Sequence, residues 1–228
     1  MEILKYPSPN FGSRREDTKI QFIILHYTAM DKQSSLDRLC SPDYEVSCHY
    51  LIDSAGTCYQ LVDDSKRAWH AGKSFWRGLR DINSRSLGIE LVNSGNEAYP
   101  KAQMESLMVL LRDLLAIHKI SPQNVLGHSD IAPSRKIDPG KWFDWRLLSE
   151  NGLAIFPKVS LPIDSDKQSF LLNAQRAGFE PEATFEQILQ AFRSRCRANF
   201  EGVFDGYDCA LMKNFADIFD VDELSNPQ

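Results

Sequence analysis

The chain has 228 residues, of which 43% are hydrophobic and 25% are charged, and its formal net charge at pH 7 is -5. This composition is typical of a soluble globular protein and argues against extensive disorder outside the two ends. The negative balance argues against broad, charge-driven binding of nucleic acid, which needs a basic surface to displace the counterions of the phosphates.

Neither a membrane span nor a secretory leader is predicted. The longest early apolar run, within residues 20–25, is too short to cross a bilayer or to form the core of a signal peptide. Five cysteines form no CxxC pair, and their odd number favours buried thiols in a reducing compartment. We therefore expect a cytoplasmic location, with a periplasmic or envelope location as the alternative if a leader was removed. The sequence leaves the oligomeric state open.

Two apolar stretches near the N-terminus predict the first strands of a sheet. Residues 20–26 form a nearly continuous apolar run, typical of a central strand buried on both faces, and His26 stands at its exit. Residues 49–53 and 57–62 flank the turn-forming segment 54–56 and predict a hairpin.

A further strand and the most regular helix follow. Residues 87–93 alternate, so that Glu90 faces away from its apolar neighbours and can point into a cleft while they pack. Residues 101–119 carry apolar side chains at helical spacing, and Pro100 suits the first turn. A short strand is predicted at residues 125–128.

The pattern changes after about residue 155. A helix is predicted around residues 142–150, and the next stretch has two prolines and no sustained period. Further helical patterns lie at residues 169–177, 185–198 and 208–219. Thr184 and Gln187 have the spacing of a capping box for the second of these. We therefore predict an α/β domain with a mixed sheet flanked by helices over residues 1–156, a linker over 157–167 and a three-helix domain over 168–228.

Two of the five histidines stand where a cleft is expected. His26 and His128 each end an apolar strand, and Asp138 follows ten residues after His128 in a loop rich in proline and glycine. Two imidazoles and one carboxylate can bind zinc and leave a fourth position open for water, which is the catalytic rather than the structural arrangement. On spacing alone, ordinary packed or solvated side chains are the stronger interpretation.

Four segments, taken in order, resemble the type 2 N-acetylmuramoyl-L-alanine amidases, a family that includes peptidoglycan recognition proteins and phage lysozyme-type amidases. The segments are residues 24–29, 68–72, 88–91 and 128–140. Within the family the chain is most similar to the AmiD-like branch, which carries a helical peptidoglycan-binding-like domain after the catalytic one. The resemblance implies a zinc amidase fold for the first domain.

The resemblance also implies the chemistry. His26, His128 and Asp138 would hold one Zn²⁺ per chain, Glu90 would act on the metal-bound water, and Lys136 would face the developing oxyanion. The implied reaction is hydrolysis of the amide bond between the lactyl group of N-acetylmuramic acid, or its 1,6-anhydro form, and L-alanine. Peptidoglycan or muropeptides are therefore the expected partners.

Four residues are candidates for substrate binding, each with a plainer alternative. His70 either contacts substrate or lines the cleft, and Trp69 either stacks on sugar or packs. Arg80 belongs to a basic stretch, residues 66–85, that either attracts anionic stem peptides or is an ordinary solvated face. Asn93 either hydrogen-bonds substrate amides or is a turn residue at a strand end.

The sequence leaves two other functions to consider, both less consistent with its motifs. A catalytically inactive peptidoglycan-recognition protein would keep the groove, but such relatives typically lack a metal ligand, and here the full set is present. A zinc peptidase of another fold is disfavoured because the chain contains no HExxH helix. The C-terminal helices are expected to bind cell wall or, alternatively, to serve as a packing or dimer-spacing appendage.

Overall fold

The computed structural model describes residues 2–16, 18–198 and 200–225, and its centre is a six-stranded mixed sheet. The strands are β1 (Ile3–Lys5), β2 (Phe11–Ser13), β3 (Phe22–Tyr27), β4 (Tyr50–Ile52), β5 (Cys58–Gln60), β6 (Lys66–Ala68), β7 (Phe75–Trp76), β8 (Leu79–Arg80), β9 (Ser86–Leu91) and β10 (Val125–Gly127). The helices are α1 (Lys32–Cys40), α2 (Ile82–Arg85), α3 (Lys101–His118), α4 (His128–Ile131), α5 (Trp145–Glu150), α6 (Lys167–Ala177), α7 (Phe185–Cys196) and α8 (Gly206–Ser225). Single 3-10 turns lie at Pro42–Tyr44 and Pro122–Asn124.

The sheet order is β1-β5-β4-β9-β3-β10, and every neighbouring pair is parallel except β4 with β5. That antiparallel pair confirms the predicted hairpin. In the centre, β3 pairs with β9 so that His26 lies beside Glu90. The strands β2 and β6, and likewise β7 and β8, form separate two-stranded ribbons. The predicted α/β fold class with a mixed sheet is confirmed.

Alternating residues of β3 pack on opposite faces of the sheet, which explains its nearly continuous apolar sequence. On one face, Ile23 and Leu25 join a hydrophobic cluster with the helix α3. On the other face, Phe22 and Ile24 join a second cluster that includes the C-terminal helices. Both faces of the central strand are therefore covered, as the sequence predicted.

The three predicted C-terminal helices are present as α6, α7 and α8, and Thr184 and Gln187 form the predicted capping box. They share one hydrophobic cluster with the sheet, in which Phe170 and Phe215 belong to the same group as Trp76. No helix or strand occurs between residues 155 and 166. The exact division into two domains and a linker stays a prediction. Among the described residues, no helix combines the length and hydropathy needed to span a bilayer.

Trp76 joins the C-terminal helices to the rest of the fold. Its side chain is fully buried and contacts the rings of Phe179 and Phe219 at centroid distances of 5.3 and 5.8 Å. We expect Trp76→Ala to lower the free energy of unfolding by about 3–5 kcal/mol, because it removes a large buried side chain and leaves a cavity. Urea unfolding followed by circular dichroism measures this change.

Trp142→Ala is the matched control, because Trp142 is 45% exposed. Its effect should stay within about 0.5 kcal/mol, as for most surface substitutions. Equal losses in the two variants would contradict the role assigned to Trp76.

Candidate metal centre and active-site cavity

The fold brings two histidines and an aspartate to one edge of the sheet. The strands β3 and β10 are parallel neighbours. His26 lies near the end of β3 and His128 directly follows β10, so both imidazoles leave the sheet at its carboxyl edge. Asp138 returns to this edge because its carbonyl accepts a hydrogen bond from the Ser129 backbone N–H at 2.9 Å.

The three side chains are buried and meet at short distances. His26 Nδ1 lies 2.9 Å from His128 Nδ1 and 2.9 Å from Asp138 Oδ2. His128 Nδ1 lies 3.0 Å from the same carboxylate oxygen. One donor atom from each residue therefore points at a common centre.

A chain of hydrogen bonds fixes the tautomer of His26. The Ser86 hydroxyl donates its proton to the Ile82 carbonyl, at 2.7 Å, so it must accept from His70 Nε2–H, at 3.2 Å. His70 Nδ1 then carries no proton and accepts from His26 Nε2–H at 3.1 Å. Burial, together with neighbouring His26, lowers the pKa of His70 well below its usual value, so that imidazole is neutral. His26 Nδ1 therefore presents a lone pair to the centre.

The tautomer of His128 follows from a single contact. Its Nε2 lies 3.2 Å from the Ala71 carbonyl, which can only accept, so Nε2 carries the proton and Nδ1 the lone pair. The Arg135 guanidinium is farther from that nitrogen, at 3.4 Å, and donates to the same carbonyl. Both histidines thus direct an unprotonated nitrogen at the carboxylate.

These three lone pairs fit a metal cation. Burial and neighbouring His128 lower the pKa of His26 to about 4, so at neutral pH His26 is uncharged and donates no proton to Asp138. Burial opposes ionisation of Asp138, but the adjoining His128 and His26 imidazoles outweigh it and hold the pKa of Asp138 well below its usual value. Electron pairs about 3 Å apart repel each other unless a cation lies among them, so the group can hold a metal ion.

Glu90 and Lys136 line the cavity above this centre, which has a volume of about 530 Å³. Glu90 projects from β9 beside His26, as its alternation predicted, and its buried Oε2 has no hydrogen-bond partner among the described residues. Burial, with the nearby Asp138 charge, raises the pKa of Glu90 to about 8. Lys136 lines the same cavity, and its charge partly opposes this rise in the pKa of Glu90. Both groups are therefore available to a ligand in the cavity.

A family model described as N-acetylmuramoyl-L-alanine amidase (Amidase_2) matches residues 16–141, more than half of the chain. The chain belongs to this family. It is 38% identical over 182 residues to the N-acetylmuramoyl-L-alanine amidase AmiD of Escherichia coli, which covers 73% of the chain and 63% of AmiD. It therefore spans less than two thirds of that relative's length.

Two further likenesses come from a shorter relative and a solved structure. The 1,6-anhydro-N-acetylmuramyl-L-alanine amidase AmpD of Haemophilus influenzae is 35% identical over 162 residues, covering 62% of the chain and 88% of AmpD. A solved complex of E. coli AmiD with the substrate anhydro-N-acetylmuramic acid-L-Ala-D-gamma-Glu-L-Lys superposes with a TM-score of 0.81 at 32% identity, covering 89% of the chain and 91% of that structure. The predicted AmiD-like membership is confirmed.

In this amidase family member, the four predicted substrate-binding residues occupy different positions. Trp69 and His70 line the cavity. Arg80 lies outside it and reaches Glu180 and Glu182 beside the C-terminal helices, at 3.7 and 3.3 Å. Asn93 is buried in a turn, where its side chain accepts the N–H at position 95 and donates to the carbonyl at position 97.

The six lysines and arginines of the predicted basic stretch also lie outside the cavity lining. The cavity takes its positive charge from elsewhere, since Arg38 of α1 and Arg135 line it together with Lys136. No periodic pattern links these three positions, because α1 and the loop after α4 meet only in the folded chain.

Three residues that position the histidines were missed by the sequence reasoning. Ser86 ends the hydrogen-bond chain from His26, and Asn83 Oδ1 accepts the backbone N–H of His70 at 3.0 Å. Gly88 makes room for that histidine, because a Cβ at position 88 would lie 2.4 Å from His70 Cγ. In the sequence, only the glycine two residues before Glu90 hinted at these roles. Its purpose becomes clear only in the folded chain, where His70 packs against β9.

We expect His70→Leu to weaken the affinity for a divalent metal ion about 10–100-fold, because His26 loses the acceptor that fixes its tautomer. Competition with a chromophoric chelator, using Zn²⁺ as the probe, measures the affinity. His118→Leu is the control, since His118 bonds Asp64 at 2.8 Å, outside the cavity. An unchanged affinity in His70→Leu would exclude a supporting role for this residue.

Proposed function

We propose that the chain is a zinc-dependent N-acetylmuramoyl-L-alanine amidase, which hydrolyses the amide bond between the lactyl group of muramic acid and L-alanine. The observation that carries this proposal is the meeting of three unprotonated donor atoms, from His26, His128 and Asp138, in the cavity that Glu90 and Lys136 line. This arrangement combines a metal-binding group, a proton acceptor and a fixed cation within one cavity.

The donor set favours zinc. Two imidazole nitrogens and one carboxylate oxygen form a three-ligand set of the kind found in catalytic zinc sites, whereas Ca²⁺ and Mg²⁺ prefer oxygen ligands throughout. When bound, zinc supplies a Lewis acid that polarises an amide carbonyl and makes water nucleophilic at neutral pH. The described part of the chain contains one such donor set, which supports one zinc ion per chain.

Glu90 is suited to move the protons of this hydrolysis. A carboxyl group with a pKa of about 8 can both accept and donate a proton near neutral pH. Glu90 lines the cavity, so its carboxyl group can take a proton from the attacking water and pass it to the amine of L-alanine. That amine must be protonated to leave.

Lys136 supplies positive charge on the reaction side of the cavity. Because its side chain lines the cavity, its ammonium can stabilise the negative charge that develops on the amide oxygen. Arg38 and Arg135 add further positive charge to the cavity, which suits the acidic stem peptide of a muropeptide.

The substrate class that the relatives' names favour is the 1,6-anhydro-muropeptide. AmpD is named for that class, and the AmiD structure holds an anhydromuramoyl tripeptide. The cavity volume of about 530 Å³ lies within the ordinary range of small-ligand sites, which suits one muramoyl group with the first stem residues. Intact peptidoglycan is the polymeric alternative within the same reaction.

Mass spectrometry of defined muropeptides and of intact peptidoglycan after incubation with the protein tests this function. We expect release of stem peptides that begin with L-alanine, complete loss of release with a zinc chelator, and recovery when Zn²⁺ is restored. Muropeptide binding without release would instead identify a recognition protein. Release that persists under full chelation would remove zinc from the mechanism.

We expect Glu90→Gln to lower kcat by about 100-fold or more while the zinc content stays at one ion per chain, because the amide keeps the shape but cannot accept a proton. Steady-state kinetics on a soluble muropeptide and metal analysis give the two quantities. Glu105→Gln on α3 is the control, since Glu105 is 59% exposed and pairs with Lys101. Full turnover in Glu90→Gln would move the proton transfer to another group.

A further inference from the structure

An ion pair connects a C-terminal helix with the metal-ligand loop, defined as residues 128–138. Arg195 on α7 contacts Asp130 through Nη1 and Oδ2 at 2.6 Å, and both side chains are 1% exposed. The same guanidinium donates to the carbonyls of Ile155, at 3.1 Å, and Val125, at 3.4 Å. Arg195 therefore reaches from the C-terminal helices to the end of β10 and the start of the loop.

Asp130 connects Arg195 to the backbone beside His128. Its Oδ2, which receives Arg195, also accepts the Gly127 backbone N–H at 2.8 Å. Gly127 is the residue before His128, and Asp130 lies two residues after it. The carboxylate thus holds the backbone on both sides of the ligand, and Arg195 holds the carboxylate.

The Asp138 end of the loop is tied to the same region. Ser129 N–H donates to the Asp138 carbonyl at 2.9 Å. Pro139, the next residue, packs so closely on Gly127 that a Cβ at position 127 would lie 2.8 Å from Pro139 Cδ. The same Cβ would lie 3.3 Å from the Trp145 ring, so Trp145 also packs against Gly127.

Arg195 contacts this second group as well. Its guanidinium carbon lies 3.7 Å from the centroid of the Trp145 ring, within the range of a cation–π interaction. Asp130 and Trp145, the two side chains that Arg195 contacts, therefore both lie against Gly127, and Pro139 packs on the same residue. Because Gly127 precedes His128 and Pro139 follows Asp138, Arg195 supports the backbone beside both ligands.

The Arg195–Asp130 ion pair is not arranged to contribute most to the free energy of unfolding. Among the described residues, Asp130 Oδ1 and Arg195 Nε are buried and have no hydrogen-bond partner. Replacing a buried ion pair by apolar side chains is often neutral or stabilising, so such a pair is weak evidence for a stabilising role. Its contacts point instead to the geometry of the loop.

We propose that Arg195 is a positioning residue for the metal ligands His128 and Asp138, which makes α7 a structural part of the metal centre. The proposal rests on the proposed zinc function. Arg195 lies outside residues 16–141, the segment matched by the family model. The C-terminal helices would thus contribute to catalysis through the metal site, without touching substrate.

The test compares Arg195→Met with Arg193→Met in the full chain. Arg193 stands on the same helix and pairs with buried Asp208 at 2.5 Å, but it does not contact the ligand loop. We expect Arg195→Met to weaken Zn²⁺ binding about 10–100-fold, as for other groups that orient metal ligands, and Arg193→Met to leave it unchanged. Chelator competition gives the affinity, at a temperature where circular dichroism shows each variant folded.

Arg195→Lys is the second variant, for use if Arg195→Met does not fold. It keeps the charge but loses the planar stacking and the multiple donors, so it too should bind Zn²⁺ more weakly than the parent protein. Parent-like affinity in a folded Arg195 variant, or an equal loss in Arg193→Met, would overturn the proposal. Failure of the parent protein itself to bind Zn²⁺ would instead refute the proposed function.

Discussion

Three electron pairs that share no proton meet at the carboxyl edge of the sheet, and much of the surrounding structure serves to keep them unprotonated. The arrangement starts from backbone carbonyls, which can only accept hydrogen bonds. The Ile82 carbonyl sets the direction of the chain through Ser86 and His70 to His26, and the Ala71 carbonyl does the same for His128. The chemistry proposed for the cavity depends on this fixed direction.

The sheet can hold these groups because both of its faces are covered. The cluster with α3 lies on one face, and the cluster with the C-terminal helices lies on the other. When both faces of parallel strands are buried, a shift in register would place every side chain on the wrong face, so the register is strongly fixed. The pairing of β3 with β9 and β10 therefore sets where His26, Glu90 and His128 emerge.

The sequence predicted the features that depend on a repeating pattern or a local signal. These include the central strand, the hairpin, the long helix and the C-terminal helices, whereas the grouping of His26, His128 and Asp138 was implied by the resemblance to the amidase family. It did not predict the nine-residue helix α1, nor seven shorter elements of two to four residues, which are β1, β2, β6, β7, β8, α2 and α4. It also missed Ser86 and Arg195, because their roles depend on partners that the fold brings from distant parts of the chain.

The shared hydrophobic cluster has a mechanical consequence. A binding module on a flexible tether searches a volume set by the length of its linker. Here the length of the segment between residues 155 and 166 does not determine how far the C-terminal helices can move, because Phe170 and Phe215 pack with Trp76 against the sheet. The C-terminal helices are packed rigidly against the sheet. Any molecule bound to their outer surface would therefore be held at a fixed distance and orientation relative to the cavity.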